Sequence, residues 1–207
     1  SEMCIRDRAR DETAERKVAA FLLGENLERT IQGGGIYTYT SQQGAAAFRD
    51  TGSFDAAGTL SQENAEAFCQ DFCKTFSYNT PVFTLDESGS GIATAVRLWN
   101  GTPVFNAAVT FTIDQGRVLS ASGALLPETG TETSSGQKPL SAFAALTAFQ
   151  QMRHESSSVV SSITEVSLCY ELQSTTAAPM ALVPSWRIVT DTATFYVNCI
   201  SGTVRRA

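Results

Sequence analysis

Five cysteines and a single histidine bound the chemistry open to this chain. Cys69 and Cys73 stand four apart on a predicted helix, so both point to one face, among Phe68, Phe72 and Phe76. A C-x-x-x-C pair is not a zinc spacing, and neither a second pair nor a histidine completes a tetrahedral site. Both thiols read as small apolar core groups. Cys169 and Cys199 fall in two predicted strands of one C-terminal unit. There they are candidates for a cross-strand disulfide if the compartment is oxidising, with free buried thiols as the default. His154 alone excludes multi-histidine metal centres. It sits between Arg153 and Glu155 at a predicted helix end, where the helix dipole favours a solvated imidazole over a Cys–His dyad.

No other constellation completes a reaction centre. Gly33-Gly34-Gly35 lacks the lysine and spacing of a phosphate loop and precedes a strand, so it reads as a helix stop. The serine-rich stretches contain no G-x-S-x-G. Asp86-Glu87 and the acids of residues 61–71 look like turn and helix-surface charge. Asn100-Gly101-Thr102 fits a glycosylation acceptor, but a hairpin turn explains it fully. Trp186 reads as a core tryptophan whose N–H meets a carbonyl. Trp99, beside a turn, is the more exposed candidate for a contact surface. No catalytic, cofactor-binding or metal-ligating residue is predicted, and the chain is expected not to be an enzyme.

Composition narrows the classes further. The 207 residues are 43% hydrophobic and 17% charged, with a net charge of −6. That apolar content suits a packed core of one large domain or two small ones. The acidic balance argues against a nucleic-acid binder. No apolar run reaches the ~18 residues of a membrane-spanning helix. The opening octapeptide, Ser1 to Arg8, resembles adapter read-through found at the start of metagenomic gene models. Residues 1–8 are therefore expected to be foreign and are set aside from fold reasoning. They carry Glu2 and Asp7 against Arg6 and Arg8, so the rest remains at −6. If they are foreign, a missing anchor or signal peptide says nothing about compartment.

Periodicity supplies the elements. A helix is predicted over Asp11 to Ile31, weakened at Gly24 and stopped by Gly33 to Gly35. Strands follow at Ile36 to Thr40 and through Phe48. A second helix is predicted from Ser61 as N-cap, with Leu60 as a hydrophobic staple. Strands are then predicted at Val82–Leu85, Gly91–Trp99, Val104–Ile113 and Arg117–Leu126, with turns at Asn100-Gly101 and Asp114-Gln115-Gly116. A polar, unperiodic stretch leads to a third helix opened by Pro139. Strands at Ile163–Leu172, Leu182–Asp191 and Ala193–Asn198 close the chain. Leu60 and Leu140, Pro103 and Pro184, and Asp114 and Asp191 occupy matching places in the two runs. The expected fold is α+β: two tandem helix-plus-antiparallel-meander units packed together. The expected boundaries are 1–8, an N-terminal unit 9–127, a linker 128–138 and a C-terminal unit 139–207.

The C-terminal run carries a family resemblance. Leu182-Val183-Pro184-Ser185-Trp186-Arg187-Ile188-Val189, followed by Phe195-Tyr196-Val197-Asn198-Cys199-Ile200-Ser201-Gly202, resembles the YycI/YycH regulators of Gram-positive bacteria. In that family a P-x-W-R-I strand pairs with a Y-Y-V-N-A-x-x-G strand. Val166 to Tyr170, the helix Leu140 to Met152, and Gly101-Thr102-Pro103-Val104-Phe105 are similar too, so the likeness spans residues 60–204. Cys199 stands where alanine is expected, and Phe195 replaces a tyrosine. The helix-plus-meander is also similar to PepSY-type modules. The resemblance implies a non-enzymatic domain on the extracytoplasmic face of the cell membrane, with a single-pass anchor absent from this sequence. Its implied partner is a membrane sensor histidine kinase or a paralogous regulator, with no cofactor. Two alternatives stay open: a secreted PepSY-like binding or peptidase-inhibitory module, and an enzyme with an unrecognised site.

Overall fold

The computed structural model describes residues 2–5, 10–61, 64–126, 131–133, 138–156, 159–173 and 180–207. Its elements run β1 (Glu2–Ile5), α1 (Glu12–Leu23), β2 (Glu28–Gln32), β3 (Ile36–Ser41), β4 (Gly44–Phe48), β5 (Ser53–Gly58), α2 (Ala65–Thr75), β6 (Val82–Leu85), β7 (Gly91–Trp99), β8 (Thr102–Asp114) and β9 (Arg117–Ala124). They continue with β10 (Thr131–Thr133), α3 (Ala142–Ser156), β11 (Ile163–Gln173), β12 (Met180–Thr190), β13 (Thr194–Asn198) and β14 (Val204–Arg206).

The architecture is mostly β with three short helices among the described residues, and it is not the expected α+β pair of helix-plus-meander units. Two compact units form, one from residues 8–98 and 106–128, the other from residues 1–7, 99–105 and 129–207. In the first, the strands lie in the order β2-β3-β4-β5-β9-β8-β7-β6. The joint is β5 against β9, antiparallel from Ser53 opposite Ala124 to Ala57 opposite Ser120. Strands before and after α2 thus share one sheet, and α1 and α2 share one core. Periodicity reports which face each strand buries and not which strand it meets, so this long-range pairing makes the N-terminal unit one sheet on two helices and not a helix-plus-meander.

The first helix is shorter than expected. Gly24 has φ +82° and caps α1, its N–H bonded to the Ala20 carbonyl. Only glycine takes that conformation without strain, so the helix stops here. Glu28–Gln32, with Glu28 to Ile31 expected as helix, form β2 and pair with β3, and Gly33-Gly34-Gly35 make the hairpin turn between them. The second helix starts later than expected. Asn64 caps α2, its side chain accepting from the Ala67 N–H at 3.1 Å. Ser61 is buried ahead of the helix, its N–H bonded to the Val118 carbonyl. Ser141, two residues past Pro139, caps α3 by accepting from the Ala144 N–H.

One face of the N-terminal sheet packs on both helices. Val18, Leu22, Cys69, Phe72 and Cys73 meet Phe48, Phe54, Val109 and Phe111 in the core. Phe21 lies 5.4 to 5.6 Å from the rings of Phe68, Phe72 and Phe76, which locks the two helices edge to face. In the second unit β12 is central. It pairs with β11, with β13, and at Met180 to Leu182 with β1. β10 lies beside β1, and β14 beside β13. The start of β8 adds a parallel bridge, Tyr170 opposite Val104, so this sheet is mixed. Helix α3 covers it with Ala145 and Phe149 against Ile188, Phe195 and Val197.

Arg10 clamps the first core from outside. Its guanidinium bonds Glu15 at 3.0 Å, the Gly35 carbonyl, and the Phe48 carbonyl at 2.7 Å, and lies 3.5 Å over the Tyr37 ring. Glu15 is only 1% exposed. Arg10→Ala removes the main countercharge of a buried carboxylate, and we expect a loss of about 3–5 kcal/mol in urea denaturation. Arg10→Met combined with Glu15→Leu should lose much less. A second expectation concerns Gly123, whose Cβ would stand 2.8 Å from the Phe54 ring. Phe54 is held in the core, so Gly123→Ala should lower stability by about 1–3 kcal/mol in the same assay. Unchanged stability would mean that the ring has room to move.

Candidate functional site

The candidate site is the face of the C-terminal sheet turned away from α3. Side chains alternate along its strands, and the register lines them up. Leu168, Trp186, Val197 and Val204 share one row and face the helix side. The neighbouring row on the opposite face is Ser167, Arg187, Tyr196 and Arg205, one residue from each of β11 to β14. Next to it lie Cys169, Ser185 and Asn198.

Charge on this face is paired. Arg187 contacts Glu165 at 2.8 Å, and Arg205 contacts Glu171 at 2.8 Å. The Ser167 hydroxyl, with Arg187, holds the Glu165 carboxyl below the usual range. Phe105 stacks on Tyr196 with ring centroids 3.7 Å apart and planes 13° from parallel, and the Arg205 guanidinium lies 5.3 Å from the Phe105 ring. Burial raises the Tyr196 phenol above its ordinary value, while Arg187 draws it back. Such a surface of aromatic rings and arginines can stack and donate to a partner.

Its nearby thiols are buried, which disfavours the thiolate. Cys169 donates to the Ser185 carbonyl at 3.3 Å, and burial pushes its thiol up to about 12. Burial pushes Cys199 up to about 11. Both are free. Strand β12 lies between them, with Ser185 opposite Cys169 on one side and Asn198 on the other. Cys69 and Cys73 are also free and buried, each pushed up to about 12 by desolvation. Among the described residues no group of three His, Cys, Asp or Glu side chains gathers to hold a metal. Likewise, no helix among them is long and apolar enough to cross a membrane.

The other singled-out residues fall as follows. The Trp186 indole N–H donates to the Leu140 carbonyl at 2.9 Å, with its ring against the helix-side core. Trp99, expected as an exposed contact, is 5% exposed, and its indole N–H has no partner among the described residues. The hairpin turn it precedes is built by Asn100 and Gly101, both at positive φ, and alternation along β7 puts Trp99 on the face of buried Ala93 and Ala95. His154 is exposed at the end of α3. Asp86 accepts from the Ser88 N–H, the Ser88 hydroxyl and the Ser90 N–H, a closed turn network that holds its carboxyl low. Sequence reading missed Phe105 as a site residue. Its only signal was its place in the Gly101 to Phe105 run, because its ring partner lies on a strand far along the chain.

No family model and no curated protein matches this chain. Solved structures do. The crystal structure of an uncharacterized protein from Eubacterium rectale ATCC 33656 is similar with a TM-score of 0.54 at 10% identity, over 100% of this chain and 85% of that one. That likeness is one of fold. The Bacillus megaterium YpeB C-terminal domain is similar with a TM-score of 0.46 at 14% identity, over 97% of this chain and 99% of that one.

The thiol environment gives a direct expectation. A thiol held neutral to pH 11 or above reacts slowly, because only the thiolate attacks. With Cys4 replaced by serine, the native protein at pH 8 should react with iodoacetamide at least about a hundredfold more slowly than free cysteine. The urea-unfolded chain should react fully. Raised folded pKa values also mean that stability is complete below the ordinary thiol range near 9 and falls as pH climbs toward 12. Urea midpoints from pH 8 to 11 check the sign.

Proposed function

We propose that this chain is a non-enzymatic binding domain on the extracytoplasmic face of the cell membrane, where it modulates a sensor histidine kinase by protein–protein contact. One observation carries the reading. The two segments that resemble the YycI/YycH ending are neighbouring strands, with Ser185 opposite Asn198, Trp186 opposite Val197 and Arg187 opposite Tyr196. That pairing places Arg187 and Tyr196 side by side on the face turned away from α3, where Phe105 stacks on Tyr196 and Arg205 lies near Phe105.

The chemistry of the face suits contact rather than turnover. Its ion pairs are half-exposed and its thiols are neutral, whereas its stacked rings and arginines are the side chains that anchor protein interfaces. A partner that binds this face in only one of its two states is shifted toward that state by the difference in affinity. The domain would thus act as a ligand that the kinase carries with it.

The test is photocrosslinking in native membranes, with a photoreactive residue at Arg205 in the protein expressed from its own gene. Adducts should contain a sensor kinase, and Arg187→Ala should reduce them at least about tenfold. Adducts made only with a secreted peptidase would replace the kinase reading with an inhibitory one. Kinase output unchanged after deletion of the gene would sink it.

A further inference from the structure

We propose that the outer edge of β2, in the N-terminal unit, captures an extended peptide bearing a lysine or arginine. The peptide adds as a strand, with its cation in the cavity at the start of β2. The site lies on a different unit from the face discussed above and stands whether or not the kinase reading holds.

The cavity has a volume of about 550 Å³, within the range of ligand sites. Its wall is fixed where α1 ends. The Ser41 hydroxyl donates to the Leu23 carbonyl at 2.8 Å and accepts from the Gln43 N–H at 3.0 Å, tying the β3–β4 turn to the helix end. Glu25 and Glu28 are its ionisable lining groups, with the amides of Asn26, Gln42 and Gln43 around them. Among the described residues no lysine or arginine lines it. Arg29, next in sequence to Glu28, is engaged with Glu12. The cavity is therefore negative and rich in acceptors, which fits an ammonium or guanidinium that donates hydrogen bonds. Among the described residues no aromatic ring lines it, which disfavours a quaternary ammonium.

The strand that leaves this cavity is an edge strand, with no pairing strand on its outer side among the described residues. β2 ends the strand order of its sheet, and all five of its residues are exposed. It pairs with β3 on one side, and on the other no strand lies among the described residues. It contains no proline or bulge to block addition. Its residues alternate, Arg29 and Ile31 on one face and Glu28, Thr30 and Gln32 on the other. Ile31 is 61% exposed, so an added strand can lay an apolar side chain beside it and a cationic one beside Glu28. Main-chain bonds to the edge would supply affinity and the cavity would supply choice of side chain. The net charge of −6 favours encounter with basic peptides over acidic ones.

Fluorescence anisotropy on the whole chain tests this. The probes are short fluorescein-labelled peptides in which valine alternates with lysine or with glutamate, and the lysine peptide N-methylated on alternate amides. The lysine peptide should bind saturably, and Glu25→Gln with Glu28→Gln should weaken it at least about tenfold. N-methylation should weaken it similarly, and hydrogen exchange should slow at the β2 amides on binding. Both substituted carboxylates are exposed, so the double variant should keep its circular dichroism. Equal binding of the glutamate peptide, or indifference to the double variant, overturns the proposal. So does full binding of the N-methylated peptide with β2 exchange unchanged, which would mean cation capture without strand addition. Absence of saturation up to about 1 mM, the floor of specific affinity, also overturns it.

Discussion

The pairing of β5 with β9 is the constraint on which the N-terminal unit depends. It joins Ser53–Ala57 to Ser120–Ala124, residues that are neighbours only once the intervening helix and strands have been laid down. Without that joint, β2 to β5 would form a four-stranded sheet with α1 alone, and β6 to β9 another with α2 alone. With it, Phe54 comes within 6.4 Å of Phe72 and Phe72 within 5.3 Å of Phe111, so the aromatic core is continuous from the first half to the second. Gly123 sits opposite Phe54 in this joint, and its missing side chain is what lets the ring lie there.

Local features of the fold were legible in the sequence. The bounds of β6 and β7 follow from alternation and from Pro81, and the positive φ of Asn100-Gly101 and Gln115-Gly116 follows from turn chemistry. The end of α1 was not. Gly24 and the Gly33 to Gly35 run were competing stops, and apolar spacing through Leu27 and Ile31 favoured the later one. The nearer glycine wins because Ile31 has no core to reach and is exposed in a strand. Class failed for a different reason, since sheet membership is set by partners distant in sequence.

The candidate face was half legible. Arg187 and Tyr196 stood inside the quoted motifs, and their spacing through a turn at Asp191 is that of hairpin neighbours. Phe105 stood in a quoted run that gave no hint of its ring partner, and Glu171 lay outside any pattern that single-sequence reading can weigh. Their positions are fixed by β8 meeting β11 at Val104 and Tyr170 and by Arg205 reaching Glu171 at 2.8 Å. Trp99 shows the converse. A residue next to a tight turn looks exposed by sequence, yet strand alternation turns its ring inward.

The buried thiols set a race during biogenesis. Four reduced cysteines, two per unit, are sheltered only after their cores close. In an oxidising compartment the unfolded chain would meet oxidants before the cores close, and the shelter of Cys69 and Cys73 includes strands joined by the β5–β9 contact. Contacts between distant residues form late. Survival of the reduced state is therefore a question of speed rather than of equilibrium: a chaperone that shortens the open interval would protect the thiols better than added stability in the finished fold.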